Sequence, residues 1–214
     1  MSVTSWVFPL LVTFAVVTMV AYFLGRRKNL VLMQQYADAM EAALKPTDKQ
    51  YTWSGGYLGF KAEYKGAWGV VKKIKPTLQL KPRISLLYYP ISLLTMRHDK
   101  LFVVMESSGN VDNEAHLIQK GHYRLVPPGI KDVEKFRKKE VKLGDTDFEL
   151  LYRDSKGEGQ FFSWAGALKV DFNRVKHLSY TSSTNVIYAL VDPTLDLTAV
   201  LLARLPELAK TIMK

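Results

Sequence analysis

The chain of 214 residues contains no cysteine. Disulfides, cysteine-ligated zinc, iron–sulfur clusters and thiol nucleophiles are therefore excluded together. The four histidines, His98, His116, His122 and His177, lack the spacing that places two ligands on one helix face in a zinc protease. We expect them to be surface or structural side chains rather than metal ligands.

The sequence also lacks the short motifs of the common enzyme classes. Neither GGYLGF nor GAWG matches the dinucleotide fingerprint or the phosphate-binding loop, and no Gly-x-Ser-x-Gly elbow occurs. Asp145, Asp147 and Glu149 lie close together, but they lack the ligand series of a calcium loop and predict an acidic turn at a strand edge. We therefore predict no catalytic residue, no metal ion and no cofactor.

Charged side chains are absent from the first 25 residues. A helix over residues 6–24 reaches about 28 Å, close to the roughly 30 Å of a bilayer's hydrocarbon core. A signal peptide carries its cations before the apolar segment, whereas Arg26, Arg27 and Lys28 follow it. By the positive-inside rule, we predict a membrane anchor that ends at these three cations, with the N-terminus outside or in a lumen and the remainder in the cytosol.

Acidic residues are few, with 20 Asp and Glu against 30 Lys and Arg, so the net charge is +10. This charge predicts attraction to anionic lipid, RNA or an acidic protein. The cations concentrate in residues 61–83, and candidates for contact with RNA or anionic lipid are Lys72, Lys73, Lys75, Lys81 and Arg83. Because no RNA-recognition signature accompanies them, a solvated sheet face is the alternative.

The sequence divides into three parts. Residues 1–28 form the anchor and its basic junction, residues 29–46 an amphipathic linker helix that ends at Pro46, and residues 47–214 a cytosolic domain. The linker helix can continue directly from the anchor.

Within the third part, aromatic, glycine and β-branched residues predict short strands and turns at 51–83. Further strands are predicted at 100–107, 147–154, 161–168, 175–180 and 185–192, a short charged helix or exposed connection at 130–144, and a C-terminal helix that begins near 192–196 with Thr194 or a carboxylate as its cap. A single N-terminal transmembrane helix, antiparallel strands and a C-terminal helix predict an α+β fold.

The segment ISLLYYPISLLTM, residues 84–96, is the most apolar one after the anchor. It is too short to span a bilayer, and Pro90 interrupts it. One interpretation is a buried strand pair or core turn; the other is an exposed segment that meets the membrane or another protein. The candidate contact residues are Leu86, Leu87, Tyr88, Tyr89, Ile91, Leu93 and Leu94.

Four segments occur in a characteristic order: the junction LGRRKN, the helix LMQQYADAMEAAL, the late strand NVIYALVDP and the terminal helix DLTAVLLARLPELAK. Together they resemble the calumin family, coiled-coil-domain-containing membrane proteins of the endoplasmic reticulum. The order of elements covers most of the chain, and the likeness between residues is confined to the junction and the last 30 residues.

The resemblance implies a subunit of an intramembrane chaperone, the PAT complex of the multipass translocon. With a small multispanning partner, such a subunit shields unassembled polar transmembrane segments. Arg26, Arg27 and Lys28 would mark the bilayer edge. Candidates for a salt-dependent contact with ribosomal RNA would be Lys72, Lys73 and Lys75. The family's acidic lumenal region and long charged tail are missing here, so we expect no calcium binding and a compact prokaryotic relative, such as an archaeal one.

The leading hypothesis is thus a non-enzymatic accessory factor in membrane-protein insertion or folding, in the endoplasmic reticulum or a prokaryotic plasma membrane. Its expected partners are the bilayer, a small multispanning membrane protein and the ribosome–translocon, and we expect neither DNA nor a small-molecule substrate. A membrane-surface scaffold or anionic-lipid-binding protein is the second hypothesis. An anchored enzyme of lipid or envelope metabolism is the third, because a catalytic triad can be assembled from residues distant in sequence.

Overall fold

A single helix, α1 (Thr4–Leu44), runs from the apolar segment into the folded domain without a break. A computed structural model describes residues 4–96, 98–111, 113–123, 129–130 and 132–212. Pro9 lies in the first turns of α1, and Lys45, with a φ of 46°, ends the helix before Pro46. The predicted anchor and the predicted linker helix are therefore two halves of one element.

The domain is built on one antiparallel sheet of nine strands. In chain order these are β1 (Asp48–Trp53), β2 (Gly59–Lys65), β3 (Val71–Gln79), β4 (Lys100–Ser107), β5 (Ala115–Gln119), β6 (Arg137–Leu143), β7 (Thr146–Tyr152), β8 (Val175–Thr181) and β9 (Val186–Val191). Their spatial order is β1-β2-β3-β4-β9-β8-β5-β7-β6. The predicted α+β fold with antiparallel strands is confirmed.

Among the described residues, three further helices accompany α1: α2 (Tyr88–Thr95), α3 (Ser155–Ala167) and α4 (Leu195–Ile212). Short 3₁₀ turns precede β6 at Val133–Lys135 and β8 at Phe172–Arg174. The predicted C-terminal helix is confirmed, and Thr194 caps it by accepting a hydrogen bond from the Leu197 amide at 3.2 Å.

The core lies between the helices and one face of the sheet. Met33, Met40 and Leu44 from the second half of α1 are buried in it with Leu201 and Leu205 of α4. Successive strand residues point to opposite faces, so the sheet contributes alternate residues to this core. The packing makes the second half of α1 an integral part of the domain.

Two sequence predictions about individual elements were wrong. The segment predicted as a strand at 161–168 lies mostly in α3, where Phe161, Trp164 and Ala165, together with the C-cap residue Leu168, are buried at helical spacing. The segment predicted as a charged helix or connection at 130–144 contains the exposed edge strand β6, whose charged side chains discourage pairing with another chain.

Candidate membrane interface and a buried histidine cluster

α1 is long and apolar enough to cross a membrane, and it is the one such helix among the described residues. Its most apolar window has no buried side chain, unlike the second half of the same helix. Residues 1–3 of the predicted anchor lie outside the described residues. Of the three predicted boundary cations, Arg27 and Lys28 are exposed, whereas Arg26 lies over the ring of Tyr57 at 4.5 Å from its centroid.

The domain packs directly on α1 at Gly25, where the uncharged segment ends. A Cβ atom at this position would lie 2.1 Å from the carbonyl oxygen of Arg83, a distance that no side chain tolerates. Glycine therefore allows the backbone at Arg83 and Ile84 to touch the helix, although it costs helix propensity. The contact fixes the domain against the end of the apolar segment.

One turn later, Asn29 is fully buried at the same contact. Its Nδ2 donates to the carbonyl oxygens of Tyr57 at 2.9 Å and Lys81 at 3.1 Å. Its Oδ1 accepts a hydrogen bond of 3.0 Å from Nη1 of Arg83. All the polar groups of this amide side chain are thus engaged, as burial requires.

An ion pair extends the network away from the helix. Nη2 of Arg83 lies 2.8 Å from Oδ2 of Asp99, and both side chains are largely shielded, at 14% and 16% exposed. Oδ1 of Asp99 accepts a hydrogen bond of 2.8 Å from the Lys81 amide. Arg83, which the sequence suggested as a contact to RNA or lipid, is engaged inside the protein. We call the contact formed by Gly25, Asn29, Arg83 and Asp99 the junction, as distinct from the basic segment LGRRKN.

The other predicted cationic contacts differ in their surroundings. Nζ of Lys73 lies 2.7 Å from Oε1 of Glu63, and Lys75 pairs with Glu106 on the neighbouring strand. Lys72 is exposed, and Lys81 is half-buried. Acids from β2 and β4 therefore neutralise part of the predicted basic surface, and the contacts to RNA or lipid stay predictions.

The apolar segment 84–96 forms no strand. It contains α2, and the exposed side chains of this helix and its N-cap residue are Leu87 at 67%, Tyr88 at 50%, Ile91 at 55%, Leu93 at 41% and Leu94 at 81%. Leu86 and Tyr89 are half-buried. The interpretation as a buried strand pair was therefore wrong.

An apolar groove of about 310 Å³ lies beside α1, just beyond the junction. Leu30, Met33 and Ala37 of α1 line one side, and Trp53 and Phe60 of the sheet line the other. The Trp53 side chain is exposed. This part of the domain therefore presents apolar surface close to the end of the uncharged segment.

A second candidate site lies on the sheet face opposite the core. Strands β5 and β8 bring together His116 and His177, with Nδ1 of His116 at 3.3 Å from Nε2 of His177. Nδ1 of His177 lies 2.9 Å from the Tyr123 hydroxyl oxygen, and Nε2 of His116 lies 3.5 Å from Oε1 of Glu114. Oε2 of Glu114 in turn lies 2.7 Å from Nη2 of Arg153. We call Glu114, His116, His177 and Tyr123 the histidine cluster.

Both imidazoles of this cluster are neutral at pH 7. Burial, reinforced by the neighbouring His116 and His122, lowers the pKa of His177 to about 3. Burial also lowers the pKa of His116, although Glu114 opposes the shift. The Glu114 carboxylate beside Nε2 of His116 favours a proton on that nitrogen, and in this tautomer Nε2–H of His177 donates to Nδ1 of His116 while the Tyr123 hydroxyl donates to Nδ1 of His177.

A pocket of about 400 Å³ adjoins the histidine cluster. Its polar lining includes Ser179, Thr181 and Tyr188, and Nε2 of His116 is buried without a hydrogen bond. Because β5 and β8 are distant in sequence, no spacing rule could bring these histidines together. Asp145, Asp147 and Glu149 form no metal site, and no group of three metal-ligating side chains occurs in the part of the chain that the structure describes.

The chain matches no protein-family model and no curated protein. The resemblance to the calumin family therefore stays a prediction.

Proposed function

We propose that the chain is a membrane-anchored, non-enzymatic accessory factor in membrane-protein insertion or folding. The observation that carries the proposal is the junction, through which an unbroken helix holds the domain at the end of its apolar segment. A domain that needs only to be retained at a membrane can hang from a flexible linker. Here the buried Asn29 and the direct contact at Gly25 fix its height and orientation.

The surface near the junction supports the same proposal. The groove lined by Leu30, Trp53 and Phe60 presents apolar side chains where a newly made transmembrane segment would meet the cytosolic edge of the bilayer. The excess of cations suits the same location, since the ribosome and cytosolic leaflets are both anionic. The orientation proposed here keeps the domain on the cytosolic side, as Arg26, Arg27 and Lys28 predict.

The test is a reconstituted insertion assay. A multispanning protein with polar transmembrane segments is translated with ribosomes, translocon and liposomes that hold or lack the full chain, and protease protection measures its insertion. We expect a higher inserted fraction with the chain. A control variant with a flexible Gly-Ser linker between Lys28 and Asn29 keeps the anchor and the domain but interrupts the rigid helix that joins Gly25 to Asn29. This variant should lose the gain. Equal insertion with and without the wild-type chain would contradict the proposal.

The histidine cluster favours a second candidate function, an anchored enzyme of lipid or envelope metabolism. It gathers imidazoles, a carboxylate and hydroxyls beside a pocket, the groups that general acid–base catalysis uses. Incubation of the chain with a phospholipid mixture, followed by mass spectrometry, tests it. Turnover that His116→Ala abolishes and the exposed control His98→Ala keeps would support an enzyme, and unchanged lipids would count against it.

A further inference from the structure

The helix α2 exposes apolar side chains and buries a polar one, the opposite of a typical helix on a protein surface. Leu87, Ile91 and Leu94 share one face at i, i+4 and i+7, and all three are exposed. Ser92 is buried, and its hydroxyl donates to the Tyr89 carbonyl oxygen at 2.7 Å. A helix that buries a serine and exposes leucines is matched to an apolar environment outside the protein.

The position of α2 identifies that environment. Ile84 touches α1 at Gly25, and α2 begins four residues later, so its first residue lies within roughly 15 Å of the end of the uncharged segment. The anchor that we propose puts the cytosolic face of a bilayer at this level. Within this distance, the apolar side chains of α2 can lie at the level of the lipid headgroups.

The composition of the segment fits the interfacial layer rather than the bilayer centre. Residues 84–96 carry no charged side chain. Tyr88 and Tyr89 supply the amphipathic rings that favour the headgroup level. Eight helical residues extend only about 12 Å, so α2 cannot span the membrane and would lie in its plane.

From these observations we infer that α2 is a second membrane contact, seated in the headgroup layer of the same bilayer as the anchor. Its occupant is lipid, and the exposed leucines enter the outermost part of the acyl region. Two attachments, the anchor and α2, then fix how α1 and the domain packed on it are rotated in the membrane, as well as the height of the domain. The inference rests on the proposed function only in requiring that α1 spans the bilayer.

The absence of native cysteine gives a direct test in the full chain. Leu94→Cys is labelled with an environment-sensitive fluorophore, and the protein is reconstituted into liposomes without any partner protein. The matched control is Leu195→Cys, an exposed leucine on α4 near the level of Tyr36, whose hydroxyl donates to the Pro193 carbonyl oxygen. Val12→Cys, within the apolar segment, reports on the anchor.

We expect the label at residue 94 to shift to shorter wavelength and to be quenched by lipids brominated near the headgroup. The label at residue 12 should be quenched more by deeply brominated lipids, and the label at residue 195 by neither. A lipid signal at residue 12 with an aqueous signal at residue 94 would overturn the inference while leaving the anchor intact. Aqueous signals at both positions would overturn the anchor, and with it both proposals.

Discussion

At the scale of single residues, the uncharged Asn29 and Gly25 are central to how the domain is held against α1. Asn29 directly follows the cations Arg26, Arg27 and Lys28 in a helix whose earlier turns are apolar, and its three hydrogen bonds go to groups from elsewhere in the domain. Burial of those groups makes each hydrogen bond expensive to lose. The junction therefore depends on an amide side chain and on a glycine, and composition and charge patterns single out neither residue.

Replacement of Asn29 by alanine should destabilise the domain. The change leaves the carbonyl oxygens of Tyr57 and Lys81 and one guanidinium N–H of Arg83 without partners, at a cost of about 1–3 kcal/mol. Urea unfolding of the full chain in mild detergent measures the loss. Gln34→Ala, which removes an exposed amide on the same helix, should cost less than about 0.5 kcal/mol; equal losses in the two variants would contradict the role of the junction.

His177 should make the domain sensitive to acid. Its pKa is about 3 in the folded state against an ordinary value of 6.5, so between these values the unfolded chain binds more protons. The free energy of unfolding should therefore fall as the pH drops below about 6.5, by about 2 kcal/mol at pH 5 from this side chain alone.

Urea unfolding at pH 7.5 and pH 5 measures this dependence. His177→Gln, which cannot be protonated, should remove the share that His177 carries and leave that of the other buried histidines, whereas His98→Gln, at an exposed position, should leave the dependence unchanged. A His177→Gln variant with the full acid sensitivity of the wild type would show that other groups carry it.

At the scale of elements, the sequence predicted structure well where one periodicity dominates. The strand at 100–107 and the helix that Thr194 caps agree with the structure. The error at 161–168 has an identifiable cause, since aromatic residues suggested a strand while the buried positions follow a helical spacing. Asp154, whose side chain accepts a hydrogen bond from the Gly157 amide at 2.6 Å, was an available sign of a helix start.

The candidate sites were less predictable than the elements, for two physical reasons. Hydropathy says that the segment 84–96 avoids water but does not say whether protein or lipid covers it. Pairing of β5 with β8 brings His116 and His177 together, and only the order of strands in the folded sheet determines that pairing. A pattern along the chain cannot reveal a site that depends on contacts between distant segments.

At the scale of the whole molecule, sidedness decides which partners the domain can meet. The sheet and the helices around it pack as one body with the second half of α1, so, with α1 across a bilayer as we propose, all of them lie on the side that holds residue 29. With a net charge of +10, a domain on the cytosolic side would face anionic lipid and the ribosome.

Sidedness can be measured with single cysteines in the cysteine-free chain. In intact cells, we expect Ser2→Cys to react with a membrane-impermeant maleimide and Lys72→Cys to be protected, because Arg26, Arg27 and Lys28 follow the apolar segment. In sealed microsomes, whose outer face is cytosolic, Lys72→Cys should react and Ser2→Cys should be protected. Detergent should make both cysteines reactive, which controls for shielding by the fold. The reverse pattern would invert the topology and put the domain outside the cytosol, where it could not meet the ribosome, although α2 would still lie against the leaflet on its own side.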